Sequence, residues 1–247
     1  DVQQKLVGRG TKLVVGPRGC GKTHMMRFAQ LSCVDQPSYP FAVYVSFNRY
    51  YRLEPMLHHK GNAVRLFHVW ALANIALATY TALGQFGVEE ADGEASLGFS
   101  HASLLALVSK LESGTVLDET LQQAADQLSV ISVGAALESA MKLCGRVRCI
   151  LLLDDAALTL TPDYLIEFFD IVRTIKRATV SPKASVYPGT TEYGPRFHVN
   201  HEADEVPVWL SPDAPNYEGV MDAIAQKRFT DLDKVPPETK DVLKYAA

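Results

Sequence analysis

The chain alternates between short apolar runs closed by glycine or polar turns and longer stretches with helical spacing. Residues 12–15 form an apolar run that ends at Gly16 and predict a buried strand. Residues 24–32 follow as a helix that offers Met25, Met26, Phe28, Ala29 and Leu31 to a core, and Asp35-Gln36-Pro37-Ser38 breaks it. Residues 41–47 (FAVYVSF) are β-branched and aromatic, which predicts a second strand. A long helical region comes next. It reads as one helix over 62–83, an acidic loop around Glu89 to Glu94, and further helices over 101–112 and 117–143, punctuated by Ser113-Gly114 and Gly145. A buried strand returns at 148–154 (RCILLLD), followed by an amphipathic helix over 162–177 with Thr161 as its N-cap and Pro162 in the first turn. Strands are expected at 183–187 and 205–210, the latter at an edge because Pro207 cannot donate to a neighbour. A helix over 217–229 and the start of another helical segment close the chain. Strands alternating with helices predict an α/β fold with a parallel sheet covered on both faces.

Length and composition narrow this picture. The 247 residues suit one large domain with an appendage, divided as a core over 1–210, with a helical elaboration about 58–145, and a C-terminal helical or lid segment over 211–247. Apolar residues at 47% and charged residues at 21% exclude disorder throughout. The net charge of -4 provides no general attraction to nucleic acid or an anionic membrane, so binding to either would need a local patch. Cys20, Cys33, Cys144 and Cys149 form no CxxC pair and no zinc-like cluster, which fits reduced thiols in a cytoplasmic protein. The first residues are polar, with no signal-peptide core and no starting Met, as in a fragment of something longer. Residues 66–83 carry no formal charge and are long enough to reach across a bilayer. His68, Asn74, Thr79 and Thr81 interrupt them, so a buried helix is expected rather than a membrane span.

The candidate chemistry begins right after the first strand. Gly16-Pro17-Arg18-Gly19-Cys20-Gly21-Lys22-Thr23 matches G-x-x-x-x-G-K-[ST] and runs on into His24. A triphosphate is a dense anion that must be wrapped by backbone N–H groups, and glycines permit that close approach. Lys22 is expected to reach the β- and γ-phosphates and Thr23 to give a hydroxyl to Mg2+. The helix that opens at Gly21 aims its positive end at the same anion.

A carboxylate pair is the expected partner. Ile150-Leu151-Leu152-Leu153 leads into Asp154-Asp155, at the strand end where open α/β sheets bind ligands. Asp154 is the candidate for the magnesium shell, alongside Thr23. Asp155 is the candidate for polarising water, or else a cap for the next helix. After the 183–187 strand, Thr190 or Thr191 is placed to bond a phosphate or the attacking water, unless Pro188-Gly189 is only a turn. Arg196 is a weaker candidate, either for action in trans on a neighbour's nucleotide or for a surface ion pair.

Together Leu6-Val7-Gly8-Arg9, Gly16 to Thr23, Leu151 to Asp155, and Thr190 with Thr191 resemble the AAA+ and STAND branch of P-loop ATPases, and within it bacterial ATPases related to origin-recognition initiators. The resemblance implies a three-layer P-loop NTPase sandwich with strand order 5-1-4-3-2, a large helical insertion, and an ATP-driven assembly switch using ATP and Mg2+. It also implies an adenine contact near Val7 and Arg9 and a homo-oligomer or protein partner. Many relatives carry Glu where this chain has Asp155, and Asp-Asp at these places is similar to the STAND switch ATPases. No lid arginine or winged-helix DNA-binding domain is visible, so a nucleic-acid partner is left open and a defence role is only an implication of kinship. The expected function is a slow or partner-dependent ATPase switch. The alternatives are a scaffold that holds nucleotide without turnover and a P-loop phosphotransferase.

Overall fold

Five short segments become the strands of one parallel sheet: β1 (Lys12–Val15), β2 (Phe41–Ser46), β3 (Cys149–Asp154), β4 (Val180–Val186) and β5 (Asp204–Pro207). The computed structural model describes residues 2–53, 62–156, 160–189, 191–209, 213–215 and 217–228. Across the sheet the order is β2-β3-β4-β1-β5. A sheet has no first edge, so the same order counted from the other side is β5-β1-β4-β3-β2, the succession the resemblance implies. Register pairs Val15 with Val186 and Ser46 with Asp154. Because every pair is parallel, the residues that follow β1, β2, β3 and β4 all emerge along one edge.

The α-helices among the described residues are α1 (Val2–Val7), α2 (Lys22–Asp35), α3 (Ala63–Gln85), α4 (Glu90–Leu97), α5 (His101–Glu112), α6 (Glu119–Gln127), α7 (Val130–Leu143), α8 (Pro162–Ile175), α9 (Val199–Glu202) and α10 (Tyr217–Arg228), and a short 3-10 helix spans Asn48–Arg52. Strand alternation sorts the core into two layers. Phe41, Val43, Val45, Leu151 and Leu153 join a cluster with α3, α5, α7 and α8. Val14, Ala42, Tyr44, Ile150 and Leu152 face the other way and pack with α1 and α2. Both faces of the sheet are thus covered by helix, which explains why β3 reads as unbroken hydrophobic sequence.

By length and composition α3 could cross a membrane, yet 67% of its most apolar stretch is buried within the fold. Its Trp70 is 1% exposed and meets Phe47 edge-on at 5.8 Å. Phe47 in turn meets Phe168 of α8 at 5.2 Å.

Several elements depart from the sequence reading. The acidic stretch around Glu89 to Glu94 is not a loop but helix α4. Its Gly93 lies against the Tyr80 ring, and Glu94 Oε1 accepts from the His101 backbone N–H at 2.8 Å, so tertiary contacts order a charged segment. The single helix expected over 117–143 is two, α6 and α7. They are divided where Ser129 and Ser132 cap each other's backbone in a capping box. The strand expected at 183–187 is β4, beginning at Val180, and β5 covers Asp204–Pro207 at the sheet edge. The chain divides into two units, residues 1–208 and 209–247. The second unit contains α10, and the segment expected after residue 229 lies outside the described residues.

Candidate phosphate-binding site

The loop after β1 is shaped by its glycines. Gly16 is buried and donates its N–H to Val186 O at 3.3 Å, tying the loop to the end of β4. Gly19 and Gly21 have φ of 85° and 91°, a left-handed backbone that a side chain would strain. Gly21 is also the N-cap of α2, and no side chain caps that helix end. The first N–H groups of a helix lack intrahelical acceptors, so the end of α2 is a ready donor cluster for an anion. Pro17, Arg18 and Gly19 are exposed at the crest of the loop, and Cys20 is half-buried.

Lys22 is 6% exposed. Its Nζ donates to Gly16 O at 2.6 Å and Pro17 O at 2.9 Å, and lies 3.9 Å from the centre of the Tyr187 ring. Burial pushes its pKa below the usual lysine range, while the nearby Cys20, Asp154 and Asp155 act the other way.

The two acids emerge at the end of β3. Asp154 is 1% exposed, and its Oδ2 accepts from the Tyr44 phenol at 2.8 Å. Asp154 Oδ1 accepts from the Asp155 N–H at 3.0 Å, and the same N–H reaches Ser185 Oγ at 3.1 Å. Asp155 has φ of 63°, the one positive value at a non-glycine among the described residues. Asp tolerates this conformation better than most residues, and here it turns the chain sharply off the strand. Its Oδ2 accepts from Ser46 Oγ, at the end of β2, at 3.1 Å. Burial first, and then the charge of Asp154, raise the Asp155 pKa, while the Ser46 hydrogen bond, Lys22 and Arg18 oppose the rise.

These strand ends enclose a cavity of ≈ 450 Å³. Arg18, Gly19, Gly21, Lys22, Thr23 and His24 line it from the loop and α2, and Asn48, Asp155 and Tyr187 line it from the other strand ends. That volume lies within the range of small-molecule sites, about 300–1,000 Å³. Among the described residues no three His, Cys, Asp or Glu side chains gather as a metal cage. The donors present fit Mg2+, which takes one or two protein oxygens and completes its shell with water and phosphate. Of the two expected oxygens, the Thr23 hydroxyl lines the cavity, whereas the Asp154 carboxylate lies just behind the lining, with both its oxygens accepting hydrogen bonds from Tyr44 and the Asp155 N–H.

The other expected residues lie elsewhere. Thr191 Oγ1 both accepts from the Tyr187 N–H and donates to its C=O, each at 3.0 Å, and Thr191 is not among the residues lining the cavity. Thr190 lies outside the described residues. Arg196 pairs with Asp170 of its own chain at 3.2 Å. Val7 is buried, and its carbonyl accepts from Arg148 at 3.3 Å, while Arg9 is exposed.

Sequence reasoning missed Tyr44, Ser46, Asn48, Ser185 and Tyr187. A signal was there: polar or phenolic side chains at alternate positions near the C-terminal ends of strands β2 and β4 must share one face beside the acids. No family model, curated protein or solved structure matches this chain.

Proposed function

We propose that this chain is a P-loop ATPase that works as a nucleotide-dependent switch, of the AAA+ and STAND kind. One observation carries the reading: residues far apart in sequence, Lys22 with Thr23 and Asp155, line one cavity at the C-terminal edge of a parallel sheet. The glycine loop and the uncapped start of α2 bind the phosphates through backbone N–H groups. Lys22 meets their negative charge, and Asp155 orients the attacking water. Thr23 and Asp154 hold Mg2+, which when bound neutralises charge on the phosphates. Two features of Asp155 favour slow turnover: Ser46 already engages its carboxylate, and burial with the charge of Asp154 disfavours its charged form. The partner in this reading is a protein or a second copy of the chain, meeting the helical elaboration.

Binding and hydrolysis of ATP by the wild type, Lys22→Ala and Asp155→Asn test this. The expected result is magnesium-dependent binding and turnover by the wild type. Lys22→Ala should lose binding, and Asp155→Asn should bind normally with turnover reduced at least about a hundredfold. Asn tolerates the same positive φ, so the second variant keeps the fold. A wild type that binds ATP and never turns it over, with or without partners, would leave a nucleotide-holding scaffold instead.

A further inference from the structure

Tyr187 directly follows β4, the strand between β1 and β3. Its side chain therefore leaves the sheet edge between the phosphate loop and the acid pair. An ammonium carries three N–H groups. Lys22 donates to two loop carbonyls, Gly16 O and Pro17 O, and the aromatic face of Tyr187 meets it 3.9 Å away. A ring face attracts a cation without neutralising it, so the charge stays available to a phosphate. The backbone that carries the ring is itself held, since the Thr191 hydroxyl bonds both backbone groups of Tyr187.

We propose that Tyr187 is the positioning residue of the phosphate site: its ring seats the Lys22 ammonium, and Thr191 anchors the backbone from which the ring projects. This rests on the nucleotide-binding reading above. Ligands that depend on Lys22, those with a β-phosphate, should then depend on Tyr187, while a monophosphate should not.

Calorimetric titration of ATP, ADP and AMP into wild type, Tyr187→Leu, Tyr187→Phe and Thr191→Val tests this. Tyr187→Leu should weaken ATP and ADP about three- to tenfold and leave AMP unchanged. Tyr187→Phe should match wild type, because the ring and not the phenol makes the seat. Thr191→Val should give a smaller loss in the same two ligands, which keeps the test decisive should Tyr187→Leu fold poorly. Unchanged ADP affinity in both Tyr187→Leu and Thr191→Val would overturn the proposal, as would an equal loss for AMP or a Phe variant as weak as Leu. A wild type that binds none of the three nucleotides would instead remove the underlying reading, and the proposal with it.

Discussion

At Asp155 a strained backbone, a raised carboxyl pKa and a hydrogen bond from Ser46 coincide in one side chain. Strain of this kind costs on the order of 1–3 kcal/mol and persists only where the surroundings hold it in place. Here the holders are Asp154 Oδ1 and Ser185 Oγ, both accepting from its N–H. In the proposed ATPase the Ser46 hydroxyl restrains the carboxylate assigned to act on water. Ser46→Ala also removes a bond that keeps the Asp155 pKa down, so at a pH where Asp155 is ionised in both proteins it should speed ATP turnover, by about two- to tenfold, the worth of one modest hydrogen bond, with ATP affinity unchanged. Single-turnover rates beside equilibrium titrations would decide it, and a slower variant would mean that Ser46 aims Asp155 rather than restrains it. Tyr44 serves the other acid. Its phenol donates to Asp154, and its ring lies under Arg27 of α2 at 3.6 Å, so the helix that carries Lys22 and the strand that carries Asp154 are linked through one tyrosine.

Elements are decided here by what they rest on. α4 is short and acidic and has little helical amphipathicity of its own, yet it sits closely on α3 because Gly93 lets it approach. A Cβ at Gly93 would stand 3.1 Å from Tyr80 Cε1 and 3.4 Å from Leu83 Cδ1. Gly93→Val is expected to destabilise the protein by about 1–3 kcal/mol through overpacking, read as a lower urea midpoint. If stability is unchanged, α4 does not need that close approach. α2 is finished in a different way. Arg146 Nη1 donates to Gln36 O at 2.7 Å and Tyr39 O at 3.1 Å, and Nη2 donates to Cys33 O at 3.2 Å. A cation at a helix C-terminus offsets the dipole whose other end faces the phosphate cavity.

Across the whole molecule, the sheet edge opposite the cavity carries a second buried cation. Lys183 of β4 is fully buried and donates to Gly8 O at 2.8 Å and to Gly10 O. Gly10 N–H also donates to Ser181 Oγ at 3.2 Å, so β4 grips the turn that leads into β1. Lys12 and Arg148 add positive charge nearby, and Asp204, paired with Lys12, is the acid that faces them. Burial above all pushes the Lys183 pKa down to about 7. The unfolded chain holds this proton up to the ordinary lysine pKa of about 10.4, so between the two values it binds more protons than the native state. Stability should therefore rise with pH above neutrality, by at most about 1.4 kcal/mol per unit from this group. A neutral amine still has two N–H groups for its two carbonyls, so the grip survives deprotonation. Urea unfolding from pH 6 to 9 should show this rise in wild type and a flatter curve in Lys183→Met. Parallel curves would show that Lys183 is not the group responsible.

The shape of the glycine loop was legible from sequence because it is set locally. Glycines, a lysine and a threonine at set spacing after an apolar run already dictate a turn, an uncapped helix start and a cation. β2, β3 and the acids at the end of β3 were legible for a similar reason, since a strand buried on both faces writes itself as continuous hydrophobic sequence, whereas β4 (VSPKASV) and β5 (DEVP) are broken by polar residues. What the local pattern does not contain is which strands become neighbours. Only the placement of β4 between β3 and β1 sets Tyr187 on Lys22, while Thr191 serves as the support for Tyr187 rather than lining the cavity. Only the pairing of β2 with β3 brings Ser46 to Asp155. Spacing along the chain determined the groups that make up the proposed phosphate loop. Contacts between distant strands decided how those groups are aimed, because side-chain direction at a strand end depends on the neighbour across the sheet.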